Sequence, residues 1–387
     1  MATGDGLLVR LDRLPYGYSP GTLVAIARAA LRCGNGIIDL SARGRLQIRG
    51  VTSETLGALT DMLTELDVVA PSQPSVEANA LLGLDPAIDP DTAAISDAVT
   101  AFVATLQAGS LAPKLSVIVD GGGTLPLGDL IGDVRLVAEH RRWFVAIDGD
   151  ATTATSLGAF SPADVVDETV RLICAILAIG SLARSRDLSL RAHSTDRPAV
   201  RPKADPIGRI ALDNGSPIVG LGIPYGQIDA AALIATCDIA ARHGATNVRL
   251  SPGRAMLFAG LRPDAVCDFQ NDASAIGLAT TGGDPRRRVS ACVGRPACAS
   301  GMLATRTIAD LASAKLVPLL DASATLHLSG CAKGCAHPRA AALALVGTDK
   351  GIGIVSNGRA DAPPNRLVGE ADLPRLIARG QLFESAR

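Results

Sequence analysis

The chain has no surplus of either charge: 37 lysines and arginines stand against 38 aspartates and glutamates, a formal net charge of −1 over 387 residues. Without a global basic field, neither nucleic acid nor a membrane surface is expected as a partner, and any anionic ligand must be met by a local cluster of cations. No apolar run is long enough to cross a bilayer; the longest, 173–183, is expected to form a core helix. The opening residues, Met1-Ala2-Thr3-Gly4-Asp5-Gly6, carry no charged segment followed by an apolar one, so no secretory signal is expected and the protein reads as cytoplasmic. No Gly-x-Gly-x-x-Gly element follows a strand at the start of a helix, which removes a built-in nicotinamide or flavin site of that kind. Histidine is scarce as well. The five, His140, His193, His243, His327 and His337, show no spacing that marks a metal triad.

What is present is a globular composition, 48% hydrophobic and 19% charged, in a chain longer than one core usually organises, so two or more domains are expected. Eight cysteines in a reducing compartment argue against a disulfide framework and raise the question of which are ligands. Cys33, Cys174, Cys237 and Cys267 stand alone in apolar surroundings and are expected to be small buried hydrophobes.

The sequence repeats itself. Leu14-Pro15-Tyr16-Gly17, a helical stretch over 22–31 and a strand pair closing at Gly50 are answered by Ile223-Pro224-Tyr225-Gly226, a helical stretch over 230–243 and a strand pair closing at Gly260. From Gly17 to Gly50 is 33 residues, and from Gly226 to Gly260 is 34. Each unit reads as strand, turn, amphipathic helix, strand, tight turn, strand, which is half of a ferredoxin-like sandwich, and two halves can pair into one domain. The expected organisation is a half-domain over 1–72, an α/β lobe over 73–195, a linker over 196–207, a second half-domain over 208–268 and a second lobe over 269–387. The three prolines Pro198, Pro202 and Pro206 keep the linker out of helix.

Cys292 and Cys298 form a C-x5-C pair, and Cys331 and Cys335 a C-x3-C pair. Four thiolates so delivered match the corners of a [4Fe-4S] cluster, and Gly294, Gly330 and Gly334 let the backbone close around it. Zinc is the structural alternative, although a five-residue gap is wide for it; two disulfides would conflict with the absent export signal. His327 and His337 flank the second pair and read as residues that orient the loop rather than as ligands. A second signal is cationic. Arg43, Arg45 and Arg49 alternate so that their side chains can share a strand face. Lys114, Arg249, Arg254 and the Arg286-Arg287-Arg288 run add to a set able to hold a polyanion, the last run leaning toward the surface.

Over nearly its whole length this pattern resembles the nitrite and sulfite reductase superfamily. The resemblance implies an α+β, pseudo-two-fold duplicated fold, two ferredoxin-like half-domains plus two larger α/β lobes around a central cleft. The family's substrate-facing Arg, Arg and Lys carry over to Arg13, Arg43 and Lys114, although Leu11-Asp12 adds a residue ahead of Arg13. A second family lysine falls on Ser116, against an oxyanion reductase. Within the superfamily the chain more closely resembles the precorrin-3B synthase family, on the loop Gly330-Cys331-Ala332-Lys333-Gly334-Cys335-Ala336-His337-Pro338, the strand over 113–123 and its modest length. Tyr16 and Tyr225 depart from the more usual glycine. The resemblance implies that the cavity which holds siroheme in the reductases here takes precorrin-3A as substrate, with Arg13, Arg43, Arg45, Lys114 and Arg254 on its carboxylates and Asn79 facing it. It further implies O2-dependent hydroxylation at C20 with γ-lactone formation, a mononuclear non-haem iron beside the cluster, and an external electron donor, a ferredoxin or an NAD(P)H reductase. The alternative is a siroheme-dependent assimilatory sulfite or nitrite reductase; a non-catalytic electron carrier would need no such cavity.

Overall fold

The computed structural model describes residues 1–68, 75–190 and 196–382. His193 lies outside the described residues.

The first unit runs β1 (Ala2–Thr3), β2 (Gly6–Arg10), α1 (Pro20–Cys33), β3 (Ile37–Leu40), β4 (Leu46–Val51) and α2 (Ser53–Glu65). Helix α1 starts where the Ser19 side chain accepts from the Thr22 amide and Pro20 supplies a preset φ. It buries Leu23, Ile26, Ala27, Ala30 and Cys33, a single stripe at three- and four-residue spacing.

A lobe follows: β5 (Ser75–Ala78), α3 (Thr92–Ala104), β6 (Ser116–Asp120), β7 (Gly132–Glu139), β8 (Arg142–Gly149), β9 (Thr155–Phe160) and α4 (Asp164–Ile179). The apolar run at 173–183 is the second half of α4, which begins earlier and stops before Gly180. The second unit contains β10 (Gly208–Ala211), β11 (Pro217–Gly222), β12 (Gln227–Asp229), α5 (Ala230–Arg242), β13 (Asn247–Ser251), β14 (Ala255–Ala259) and α6 (Val266–Ala275). The second lobe contains β15 (Val289–Ala291), α7 (Thr305–Leu316), β16 (Leu326–Ser329), β17 (Ala341–Thr348), β18 (Gly351–Gly358), β19 (Arg366–Val368) and α8 (Leu373–Ala378).

The two units interlock. Strand β12 of the second pairs with β3 of the first, and Tyr18 just after the first Pro-Tyr-Gly turn bridges to Val248 in β13. One hydrophobic core joins Leu23, Ile26 and Ile48 of the first unit to Leu233, Val248 and Phe258 of the second, so the halves form a single domain. Val266, Phe269, Ala273 and Leu278 belong to that core, which extends the second half-domain about ten residues past the expected boundary at 268; the apolar side of α6 has nowhere else to bury.

The hairpin turns of the two units meet back to back. The Gly253 amide donates to the Ala42 carbonyl at 3.0 Å, and a Cβ on Gly44, whose φ is 76°, would stand 2.7 Å from the Ser251 backbone. Gly44→Ala is therefore expected to cost roughly 1–3 kcal/mol, from the left-handed φ together with the clash. Urea unfolding reads this directly, and an unchanged midpoint would refute the close approach.

Both lobes follow the same order of strands and helices. Their sheets run β5-β6-β7-β8-β9 and β15-β16-β17-β18-β19, parallel across the first three strands and antiparallel across the rest. The duplication thus extends through the lobes. The segment 196–206 joining the halves has no helix or strand, as its prolines require.

Two of the four solitary cysteines are not core residues. Cys33 and Cys237 are buried, and burial pushes the Cys237 thiol up to about 12. Cys174 and Cys267 are exposed, because each falls one residue off the buried stripe of its helix, beside Ile173 and Val266.

Candidate functional site

The four paired cysteines sit just past the C-terminal ends of two neighbouring parallel strands. Cys292 follows β15 directly, and Cys331 lies two residues beyond β16. Met302 N donates to Gly330 O at 2.7 Å, which ties the loops to each other, and Thr305 Oγ1 at the start of α7 donates to Cys292 O at 2.6 Å within the first loop. Gly330 lies so close that an added Cβ would meet Gly294 Cα at 3.1 Å and Gly301 Cα at 3.3 Å. Its amide donates to Cys292 Sγ at 3.1 Å, the kind of bond that stabilises a thiolate.

Burial raises the Cys292 pKa, the amides of Gly330 and Gly294 work against that, and the charges of Cys331 and Cys335 add to it. Cys298 lies against Gly4 in the turn before β2. All eight cysteines are free. Among the described residues no three His, Cys, Asp or Glu side chains close into a ready metal-binding group. What the fold provides is the donor chemistry: four uncrosslinked thiols on two loops pinned together, with Cys292 in electrostatic reach of the second pair.

The equivalent place in the first lobe carries polar plugs instead. Asn79 follows β5, and its amide donates to Asp120 Oδ1 at 3.1 Å and Gly122 O at 3.0 Å while its carbonyl oxygen accepts from Gly121 N at 2.8 Å. Asn79 is therefore buried and spent on its own loops, not facing a ligand as expected.

Half-domains, lobes and linker enclose a cavity of about 720 Å³, within the range of small-molecule sites. Its walls include Ala42, Tyr225, Arg254, Arg287 and Ser290, closed on one side by linker residues 201–206. Several wall cations are already matched. Lys203 pairs with Asp129 and Arg287 with Asp205, both at 2.6 Å, while Arg288 is used on carbonyls of the segment 317–324. The arginine run 286–288 is thus partly structural, and two of its members line the cavity rather than the open surface.

Arg254 is different. It reaches the wall from the turn between β13 and β14, and its guanidinium makes no hydrogen bond or salt bridge among the described residues; burial pulls its pKa below the ordinary value, with Asp39 the neighbouring counter-charge. Away from the cavity wall, buried guanidinium nitrogens without partners occur at Arg13 Nη1, Arg43 Nη1 and Arg306 Nη1. Burial likewise lowers the pKa of Arg13 and Arg306. Of these, Arg13 is tied to the Ala78 carbonyl and Arg43 to the Ile131 carbonyl, each with its other terminal nitrogen. Desolvated cations lacking full compensation are places where an anion is stabilised.

Not all expected residues share this character. Arg45 is buried between Asp12 at 2.8 Å and Glu77 at 3.2 Å, and Arg49 between Asp5 and Asp39, so the alternating face of β4 is consumed by internal ion pairs. Lys114 is exposed at the start of β6, the end opposite Asp120 and Gly121, and does not line the cavity. Arg249 clasps the first Pro-Tyr-Gly turn through Pro15 O at 2.5 Å and the ring of Tyr16.

Two partners of Tyr225, Asp310 and Arg306, escaped the sequence reading. Tyr225, with φ at 61°, is fixed by a 2.6 Å bond from its hydroxyl to Asp310 and by Arg306 lying 5.0 Å over its ring. Asp310 and Arg306 are four apart on α7, a spacing that places them on one helix face but carries no motif.

Residues 1–66 and 212–276 match the family described as Nitrite/Sulfite reductase ferredoxin-like half domain. The Mycobacterium tuberculosis NirA structure shares the fold, with a TM-score of 0.70 at 18% identity over 96% of this chain and 79% of that one. A sulfite reductase [NADPH] hemoprotein beta-component of Xylella fastidiosa (strain M23) is 31% identical over 43% of this chain and 32% of its own length. A precorrin-3B synthase of Sinorhizobium sp is 35% identical over 98% of this chain and 85% of its own length. With the duplicated fold, the paired cysteine loops and that match over nearly the full length, the chain belongs to the precorrin-3B synthase family of oxidoreductases.

Proposed function

We propose that the chain acts as a precorrin-3B synthase, hydroxylating precorrin-3A at C20 with γ-lactone formation, with O2 as co-substrate and an external ferredoxin or NAD(P)H reductase as electron donor. The observation that carries this reading is the pairing of a roughly 720 Å³ cavity with a wall arginine, Arg254, whose guanidinium is largely desolvated and has no bonded partner among the described residues. A tetrapyrrole edged with acetates and propionates presents the carboxylates such a wall requires.

Arg254 would hold a carboxylate directly, and Tyr225, rigidly anchored from behind, would set the position of the macrocycle against the wall. Cys292, Cys298, Cys331 and Cys335 would hold a [4Fe-4S] cluster, because four thiols on two tied loops and an amide already aimed at one sulfur suit that donor set. When bound, the cluster would supply single electrons and a mononuclear non-haem iron the reaction with O2. The match to sulfite reductases keeps a siroheme enzyme as the competing reading, although it covers less than half of this chain.

The test is protein purified without oxygen, its pigment extracted with acidified acetone, then assayed for O2-dependent conversion of precorrin-3A. Conversion without extractable siroheme is expected; siroheme together with sulfite or nitrite reduction would overturn the reading. Arg254→Gln should raise the KM for precorrin-3A about tenfold to a hundredfold, the size of one lost charge-assisted bond, with kcat little changed. An unaltered KM would remove Arg254 from the site.

A further inference from the structure

We propose that His327 and His337 bind one divalent first-row transition ion, separate from the four cysteines and next to the cavity. His327 is fully buried, and neither Nδ1 nor Nε2 has a hydrogen-bond partner. A neutral imidazole carries one donor and one acceptor, and leaving each unmade in the interior costs roughly 1–3 kcal/mol. A buried polar side chain with nothing to bond to needs an explanation, and an ion on one of those nitrogens supplies it.

His337 supplies the second imidazole. Its ring lies 5.6 Å from that of His327, centroid to centroid, tilted by 62°. His337 Nε2 is 3.2 Å from the carbonyl oxygen of Ala340. A carbonyl can only accept, so Nε2 carries the proton and Nδ1 presents its lone pair. That is the arrangement in which histidines ligate metals, one nitrogen oriented by a carbonyl and the other free to coordinate.

The place in the fold suits an ion that meets substrate. Alternation along β16 sends Leu326 and Leu328 into the lobe core and His327 to the opposite sheet face. The parallel register sets His327 beside Ser290, which lines the cavity. The Cys331 loop covers it, with a Cβ on Gly334 standing 3.7 Å from His327 Cε1.

Two imidazoles suit iron, cobalt, copper or zinc, and with no third His, Cys, Asp or Glu donor grouped there among the described residues, the remaining positions fall to water or a substrate group. The site's role as the mononuclear iron centre rests on the functional reading above; the binding of an ion does not.

The experiment titrates cluster-loaded, anaerobically purified protein with Co(II), following its visible ligand-field bands, with iron and acid-labile sulfide assayed in parallel. One equivalent is expected beyond the metal that the sulfide accounts for. His337→Ala, which changes only a partly exposed loop residue, and His327→Phe, which refills the buried space, should each weaken Co(II) binding at least tenfold with sulfide unchanged. No uptake by the wild type, or equal uptake by both variants, would overturn the site. So would loss of sulfide in step with Co(II), which would assign His327 to holding the cysteine loop. Co(II) binding that persists in protein unable to convert precorrin-3A would support the site and count against the functional reading alone.

Discussion

Cys292→Ser is expected to yield protein without acid-labile sulfide, and turnover of precorrin-3A should fall by more than about a hundredfold. Loss of a residue that merely orients a ligand costs about ten- to a hundredfold in affinity or activity, and removal of a ligand itself exceeds that. Cys292 is the most informative of the four because the structure already prepares it. It lies at the exit of β15, with the Gly330 amide on its sulfur and Thr305 on its carbonyl. A serine oxygen there keeps those bonds but cannot replace a thiolate toward iron. The chain should still fold, since Cys292 is not part of the lobe core built on Val289, Leu326, Leu328 and Leu343. Iron and sulfide assays with near-ultraviolet circular dichroism separate the outcomes: full sulfide content in the variant would remove Cys292 from the cluster, and lost tertiary signal would make the position structural.

Arg45→Met is expected to destabilise the protein by about 3–5 kcal/mol while Arg254→Gln leaves stability nearly unchanged. The reason is burial. Glu77 is fully buried in β5 and Arg45 nearly so, and their 3.2 Å pair links the first half-domain to the first lobe. Removing the guanidinium strands a carboxylate in the interior, the costly way to break such a pair. Adding Glu77→Gln should recover much of the loss, because the uncompensated charge then disappears. Chemical denaturation of the single and double variants measures this. Equal losses in both would show that Arg45 acts through packing alone, and a selective rise in KM with full stability would return it to the substrate site.

These two residues show where sequence reasoning succeeds and where it stops. The pairing of Cys292 with Cys298 and of Cys331 with Cys335 on neighbouring loops was legible because short spacings survive in the chain. Both half-domains were legible for a related reason: Pro-Tyr-Gly, an amphipathic helix and a tight hairpin are each local. Arg45 was misread because its partners Asp12 and Glu77 lie 33 and 32 residues away, out of reach of any strand periodicity. Lys114 was misplaced because a position on a strand does not say which end of the sheet faces the ligand. Arg306 packs on Tyr225 across 81 residues of chain, so nothing local announced their contact.

The duplication of the lobes was hidden more deeply. Equivalent loops hold cysteines in one lobe and the Asn79–Asp120 bond in the other, so the same backbone closes with different chemistry.

By itself the sequence determined the two paired cysteine loops, the paired half-domains and the family, because each depends on residues close together in the chain. Only the tertiary structure decided which arginines are free to meet a substrate, which histidine nitrogens stand without partners, and where the cavity lies. Compensation of buried charge depends on what the fold brings alongside each group, and that is a property of distance in space, not along the chain.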